Sequence, residues 1–167
     1  LLLDDARAGR ARLYRDHIRR DTLTAADLDQ LDVLLARGWA DGLHAALRIP
    51  YEFGVALMEL AASAPPLILD WYARLDHLHG DAIDAWLRAQ HDGAPAGLLD
   101  LRFDTDRAAY ARTIAAIHEL IRAGNTYQIN YTLRANAASY GNPVALYQRL
   151  RALQPAPYAA LAWHPAD

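Results

Sequence analysis

The sequence predicts an α+β protein with a largely antiparallel sheet and helices outside it. Segments with the period-two alternation of strands are interspersed with segments that carry apolar residues at helical spacing. Several strand-like segments are short and lie close together around turns, which favours hairpins over parallel crossovers. The glycine-containing turns lack GxGxxG or a P-loop, so a doubly wound nucleotide-binding fold is less favoured.

The first forty residues predict two short strands followed by a helix. Leu1–Leu3 and Ala11–Tyr14 lie on either side of an Ala-Gly turn, as in a hairpin. Thr24 has the features of an N-cap, with the acidic Asp27 three residues later, and Gly38 suits the end of the helix. The apolar stripe of this helix comprises Leu28, Leu31, Leu34 and Leu35.

The next fifty residues predict more strand and one short helix. Leu43–Phe53 should be mostly extended, with an interruption at Pro50. Leu67–Leu75 alternates and predicts a half-buried strand, whereas the LDHLHGD stretch that follows, residues 75–81, has the composition of a loop. Asp81–Gln90 predicts a helix. The residues of these two elements that should face the core are Leu67, Leu69, Trp71, Ala73, Ile83, Trp86 and Leu87.

A turn-rich stretch, HDGAP at residues 91–95, predicts a linker. We therefore expect two domains, residues 1–93 and residues 94–167. The second should begin with a strand, Leu98–Phe103. Thr105 then caps the most regular helix of the chain, Asp106–Ala123, which ends at a glycine.

The last third of the chain predicts a strand, a helix and another strand. From Thr126 onward polar and apolar residues alternate through ANA at residues 135–137. Pro143 suits the first turn of a helix, and the prolines of QPAP at residues 154–157 end it. Tyr158–Trp163 is the final predicted strand.

Composition excludes several classes of function. The net charge is −3 and no basic stripe occurs, which argues against nucleic-acid and membrane partners. No apolar run approaches the length of a membrane span. Cysteine is absent, so disulfides and thiol chemistry are excluded, and this fits a cytoplasmic protein. All 17 basic residues are arginine, so no lysine of this chain can be a nucleophile.

Isolated titratable residues give weaker signals. His77 and His79 have the spacing of ligands on one strand face, but no partner ligand is evident, and we expect a structural or solvent role. Asp4 and Asp5 are adjacent, so in a strand their side chains would point in opposite directions and could not share acid/base work. Glu52, beside aromatic residues, should be exposed or paired at a strand end. We predict no metal ligands in this chain.

The polar face of the strand predicted from Thr126 is the strongest candidate for a site. It carries amides, hydroxyls and one guanidinium rather than the lysine and glutamate of a solvent face. Such a mixture suits an anionic, oxygen-rich small molecule, because arginine and amides bind carboxylates with fixed geometry. On chemistry alone, a pocket and a solvent face both stay open. The residues of this face are Thr126, Gln128, Asn130, Thr132, Arg134 and Asn136.

QPAPYAALAW, from residue 154, is the other unusual stretch. Two alternate prolines force an extended backbone before Tyr158. This stretch is either a rigid helix-to-strand connection or a wall of preset backbone for a small ligand.

Three motifs resemble the chorismate-utilising enzymes, most closely the component I branch of aminodeoxychorismate (para-aminobenzoate) synthase. They are AGNTYQINYTLR at residues 123–134, GNPVALY at 141–147 and QPAPYA at 154–159, with looser likeness in LLLDDAR and YEFG. The resemblance implies a sandwich of antiparallel sheets with outer helices, like that of anthranilate synthase component I, of which the chain would form an incomplete half.

The resemblance implies amination of chorismate to 4-amino-4-deoxychorismate, a precursor of 4-aminobenzoate and folate. Ammonia would come from a glutamine amidotransferase partner, and Mg²⁺ would be needed, with its ligands outside this chain. We expect the isolated chain to be inactive. The alternatives are anthranilate synthase component I of tryptophan biosynthesis and a non-catalytic, truncated binding module.

The resemblance also assigns candidate site residues. Gln128 matches a position that is lysine in isochorismate and salicylate synthases, where the lysine is thought to activate water. A glutamine cannot act as that base, so Gln128 favours the aminating branches as a residue lining the catalytic site. Asn130, Thr132 and Arg134 would support the chorismate pocket.

A second implied site resembles the family's tryptophan pocket. Its candidate residues are Asp5, Pro157, Tyr158 and Ala159. The carboxylate of Asp5 replaces a serine and would repel the carboxylate of a bound amino acid, although it could attract the ammonium. We therefore expect no feedback inhibition by tryptophan.

Overall fold

A computed structural model describes residues 1–60 and 64–162 of the chain. It contains two compact units, one formed by residues 1–87 with the stretch from residue 150 onward, and the other by residues 88–149. The predicted α+β class, with antiparallel sheets and helices, is confirmed. The expected domain division at residues 93/94 stays a prediction.

The first unit is built on a five-stranded sheet with all described pairings antiparallel. Its spatial order places the third and fourth strands at one edge and the seventh strand at the other, beside the first. The strands are β1 (Leu2–Asp5), β2 (Arg10–Leu23), β3 (His44–Arg48), β4 (Leu67–His79) and β7 (Ala159–Leu161).

The second unit holds a two-stranded antiparallel sheet, β5 (Gly97–Phe103) with β6 (Ala135–Tyr140). The helices of the described residues, in both units, are α1 (Leu31–Ala40), α2 (Tyr51–Leu57), α3 (Asp81–Ala89), α4 (Arg107–Arg122) and α5 (Pro143–Leu153), with a 3₁₀ turn at Ala25–Gln30. None of the helices in the described ranges is long and apolar enough to cross a membrane.

The core of the first unit centres on Trp71, which has no solvent exposure. One face of the sheet packs its apolar residues against the 3₁₀ turn and α1. Gly38 is therefore not the helix end that the sequence predicts: it lies inside α1, where a Cβ atom would overlap the Trp71 ring. The chain turns instead at Gly42, which has a positive φ of 72°. The buried residues of this cluster are Leu23, Phe53, Leu67, Leu69 and Trp71.

Strand pairing extends β2 and β4 well beyond the predicted lengths. The LDHLHGD stretch is not a loop, because Leu75 to His79 pair with β2 as far as its first residue, Arg10. Ala73 is exposed rather than in the core: it has no register partner in β2, next to the irregularity of the pairing between His17 and Arg19.

Two further predictions at element boundaries are wrong. Tyr51–Phe53 begins helix α2 instead of extending β3, because Pro50 occupies the N-cap position with an extended backbone. The N-cap of α4 is Asp106 rather than Thr105: its side chain accepts a hydrogen bond from the amide of Ala109 at 2.7 Å. Trp163 of the predicted last strand lies outside the described residues.

The strand predicted from Thr126 is also wrong over most of its length. Residues 126–134 have no regular secondary structure, and only Ala135–Tyr140 pairs with β5. The amide of Asp104 still donates to the carbonyl of Arg134 at 3.0 Å. Beyond this bond the chain of β5 turns into helix α4, so no partner continues the ladder, and alternation without a partner makes no strand.

Candidate functional site

A cavity of about 550 Å³ lies on one face of the five-stranded sheet. It forms because β7 pairs with β1, with Leu3 opposite Ala160 and Asp4 opposite Ala159. This pairing brings the segment that contains Pro155 and Pro157 close to β1, near the start of the chain. The four residues of the predicted tryptophan-like pocket, Asp5, Pro157, Tyr158 and Ala159, all line this cavity. Their role in binding stays a prediction.

The carboxylate of Asp5 is already engaged by neighbours in the turn between β1 and β2. It accepts a hydrogen bond from the amide of Ala8 at 2.9 Å and faces the guanidinium of Arg10 at 3.5 Å. Its side chain keeps 20% of its exposure, so it remains in contact with the cavity. The charge that Asp5 presents to a ligand is thus partly compensated.

Basic side chains line the opposite wall of the cavity. Arg10 and Arg12 come from β2, and His77 and His79 come from β4. The register places Arg10 opposite His79 and Arg12 opposite His77. All four residues are exposed. The sequence pattern left the histidines without a partner because it predicted a loop around them; strand pairing is what adds the arginines.

Asp4 faces the other side of the sheet, as the alternation of β1 predicts. It is 3% exposed and accepts a hydrogen bond from Nε of Arg151 at 2.7 Å. The same guanidinium donates to Asp84 at 2.9 Å. Arg151, on α5, therefore links the end of β1 to α3, and the carboxylate of Asp4, a residue that also lines the cavity, is held in this ion pair.

Asp70 is the centre of a charged cluster that sequence reasoning missed. This carboxylate is 4% exposed and accepts from Arg20 at 2.8 and 3.3 Å, from Arg48 at 3.3 Å and from His17 at 2.9 Å. Burial raises the pKa of Asp70. The hydrogen bonds from Arg20 and His17, together with the arginine charges, lower the pKa by more than burial raises it, so the net shift is downward. Burial also raises the pKa of the neighbouring Tyr72.

The candidate chorismate-site residues lie in the second unit, on the segment between α4 and β6. Gln128 is exposed, and its Nε2 donates to Oδ1 of Asn130 at 3.1 Å. Thr126 donates its hydroxyl to the carbonyl of Gln128 at 3.0 Å. Thr132 and Arg134 are exposed on the same segment. The structure thus brings Gln128 and Asn130 into contact, two positions apart in a segment without regular secondary structure.

The described residues do not fit a site for Mg²⁺. Within residues 1–60 and 64–162, no three side chains of histidine, aspartate, glutamate or cysteine come together in a way that could hold a metal ion. The chemistry that these residues offer is hydrogen bonding and charge, from neutral amides, guanidinium groups and imidazoles.

Comparison with known proteins identifies the family. The model described as chorismate binding enzyme matches residues 73–166. Two proteins of Haloarcula marismortui are similar over shorter stretches. "Anthranilate synthase component 1 1" is 36% identical over 62 residues, 37% of this chain and 13% of that protein. "Anthranilate synthase component 1 3" is 31% identical over 85 residues, 51% of this chain and 17% of that protein.

The aligned stretches thus span less than a fifth of these relatives. No solved structure matches the chain. The family model covers more than half of the 167 residues, including the segment with Gln128 and the PAPY stretch at the cavity. The chain therefore belongs to the chorismate binding enzyme family.

Proposed function

We propose that these residues form part of component I of aminodeoxychorismate synthase, an enzyme that aminates chorismate to 4-amino-4-deoxychorismate. Membership of the family supports chorismate as the substrate. Ammonia would come from a glutamine amidotransferase subunit, and the product would lead to 4-aminobenzoate and folate. Mg²⁺ would be required, with its ligands outside the described residues.

The observation that carries the proposal is the neutral side chain of Gln128. The water-adding enzymes that the sequence resembles have a lysine at this position to act as a base. A carboxamide cannot remove a proton from water at any working pH. Ammonia needs no such base, because it is already a nucleophile. An aminating reaction is therefore the one that suits this residue.

Local geometry supports a positioning role for Gln128. One of its two amide N–H groups donates to Asn130, and the residue as a whole is exposed, which leaves the carbonyl oxygen and the second N–H for a ligand. The carbonyl can accept a hydrogen bond from ammonia, and the N–H can donate to a leaving hydroxyl. The guanidinium of Arg134, on the same segment, offers charge for a carboxylate.

Anthranilate synthase component I is the second candidate, since both similar Haloarcula proteins carry that name. The family resemblance implies that anthranilate synthase also aminates chorismate, so Gln128 does not distinguish the two enzymes. The sequence motif YQINYT at residues 127–132 favours the aminodeoxychorismate branch. A non-catalytic binding module is the remaining alternative.

Dependence on ammonia tests the proposal. The full-length protein, incubated with chorismate and Mg²⁺, should consume chorismate only when ammonium or the amidotransferase with glutamine is present. Consumption that proceeds equally well without a nitrogen source would assign the protein to a water-adding branch. A folded protein that leaves chorismate untouched under both conditions would favour the binding module.

A further inference from the structure

We propose that Thr126 and Asn130 are positioning residues, which act through Gln128 rather than by binding the substrate themselves. The inference rests on the proposed function, because it concerns the side chain that is expected to meet the ammonia. Gln128 is held by two contacts: Asn130 accepts from its carboxamide, and Thr126 donates to its backbone carbonyl. The family resemblance gives Asn130 only a supporting place in the pocket and gives Thr126 no role.

The segment that carries Gln128 is fastened on both sides, although it has no regular secondary structure. Before it, the amide of Asn125 donates to the carbonyl of Leu120 at 3.0 Å, at the end of α4. After it, the centre of the Tyr131 ring lies 5.7 Å from that of Tyr110 on α4, within the range of an aromatic pair. Local hydrogen bonds between these two points therefore act on a backbone that is already restrained.

Thr126 restrains the backbone at Gln128. Its hydroxyl donates to the carbonyl oxygen of Gln128, two residues later, at 3.0 Å. Such a side-chain bond limits rotation of the peptide that follows Gln128, and so limits the directions in which its side chain can leave the backbone. Thr126 is half-buried whereas Gln128 is exposed, as suits a supporting residue and the group that it presents.

Asn130 restrains the carboxamide itself. Rotation of a glutamine amide by 180° exchanges its oxygen with its NH₂ group. Oδ1 of Asn130 accepts from Nε2 of Gln128 at 3.1 Å, so rotation of Gln128 alone would bring two oxygens together. The bond therefore keeps the carbonyl oxygen of Gln128 turned away from Asn130, where it can accept an N–H of ammonia.

The expected effect is modest and belongs to kcat. A neutral hydrogen bond in water changes an equilibrium by about fivefold. Without it, the carboxamide would spend more of its time in orientations that do not face the ammonia. This changes the fraction of enzyme–substrate complexes that are ready to react, whereas the affinity for chorismate does not depend on it.

Steady-state kinetics of ammonia-dependent chorismate consumption by the full-length protein tests Asn130. Asn130→Leu keeps the size of the side chain and should lower kcat by about threefold to fivefold, with the KM for chorismate unchanged. Asn130→Asp keeps an oxygen acceptor, so kcat at saturating chorismate should stay close to the wild-type value. A raised KM with unchanged kcat in Asn130→Leu would overturn the inference and make Asn130 a residue that binds substrate.

A matched pair of variants tests Thr126. Thr126→Val removes the hydroxyl but keeps the shape, and should lower kcat by about threefold. Thr126→Ser keeps the hydroxyl and should retain the wild-type kcat. Equal losses in the two variants would assign the effect to packing of the threonine methyl group and would overturn the role of the hydroxyl. In the same way, an Asn130→Asp enzyme as slow as Asn130→Leu would contradict an acceptor at that position.

A double-mutant cycle distinguishes action through Gln128 from an independent effect on the site. In a Gln128→Leu background the carboxamide is absent, so Asn130→Leu and Thr126→Val should cause no further loss of kcat. Losses in that background as large as those in the wild type would overturn the inference. Circular dichroism and the urea midpoint of each variant should equal those of the wild type, which separates lost positioning from lost folding.

Failure of the proposed function gives a different result from failure of this inference. A wild-type protein whose chorismate consumption does not depend on a nitrogen source would overturn the proposed amination and the positioning roles together. A wild-type protein that requires ammonia, combined with independent losses in the double-mutant cycle, would overturn the positioning roles alone.

Discussion

Asp70 shows how one buried carboxylate can organise three strands. It lies on β4 and receives hydrogen bonds from His17 and Arg20 of β2 and from Arg48 of β3. Arg20 is its direct register partner. Composition and periodicity could not reveal this cluster, because its members are up to 53 positions apart and meet only through strand pairing.

Substitution of Asp70 should therefore be costly. Asp70→Asn removes the negative charge and leaves two guanidinium groups close together, so we expect a loss of about 3 kcal/mol in the free energy of unfolding. Urea denaturation followed by circular dichroism measures it. The matched control is Asp16→Asn, which removes an exposed carboxylate paired with Arg74 and should destabilise the protein much less, because solvent screens an exposed pair. Equal losses for the two variants would contradict a special role for Asp70.

The same carboxylate predicts a dependence of stability on acid. The folded state lowers the pKa of Asp70, so its contribution is fully present above the unfolded value of about 3.9. As pH falls through the lower folded value, protonation removes the contribution. We expect the urea midpoint of the wild type to fall as the pH drops below about 4. The Asp70→Asn variant should show a shallower decline, and an identical decline would be the contrary result.

Gln128 carries the chemical prediction at the residue scale. Gln128→Lys supplies a base that can activate water, so amination of chorismate should decrease. Isochorismate, the isomer that forms when water adds to the ring and the original hydroxyl leaves, should become detectable. Gln128→Leu removes a hydrogen bond, so the kcat/KM for amination should fall by about fivefold to tenfold. Gln30→Leu, an exposed glutamine in the first unit, is the control. Amination unchanged in both Gln128 variants would mean that this side chain does not reach the reacting atoms.

At the scale of single elements, helix α1 shows why a glycine can mislead. Gly38 has the sequence context of a helix end, but the structure uses it as a gap that admits the ring of Trp71. Sequence spacing reveals such a gap only when the sheet residue that packs against the helix, here Trp71, is known. The correct end, Gly42, is recognisable by its positive φ rather than by its place in the apolar stripe.

Replacement of this glycine gives a direct test of the packing. Gly38→Ala should lower the free energy of unfolding by about 1 to 3 kcal/mol, because overpacking outweighs the better helix propensity of alanine. Gly54→Ala, in helix α2 with open space around the glycine, should raise it by about 0.5 to 1 kcal/mol. Denaturation of both variants measures the contrast, and stabilisation by Gly38→Ala would refute the contact with Trp71.

The sequence predicted β1 from its turn, β4 from alternation and β5 as a strand candidate, but alternation failed for residues 126–134. The successful strands have a paired neighbour along their length. The failed segment alternates equally well, yet β5 ends where it would need a partner. Periodicity reports which side chains would share a face, whereas a strand also needs hydrogen bonds from another segment.

At the scale of the whole molecule, sequence reasoning found the α+β class and the family, because both depend on patterns that survive local errors. The three motifs 123–134, 141–147 and 154–159 lie within the stretch that the family model matches. The basic wall of the cavity and the Asp70 cluster were not predictable, since each depends on register between distant strands. Spacing in the sequence shows which residues of one strand share a face. Which residues of different strands lie together is known only from the register of the folded sheet.

Amination of chorismate at the position that leads to 4-aminobenzoate is the activity on which the proposed function depends. Its most direct test uses the full-length protein with chorismate, Mg²⁺ and ammonium, followed by aminodeoxychorismate lyase and chromatography of the aromatic product. We expect 4-aminobenzoate that appears only when the lyase is added. Anthranilate that appears without the lyase would refute this proposal and assign the protein to the anthranilate synthases.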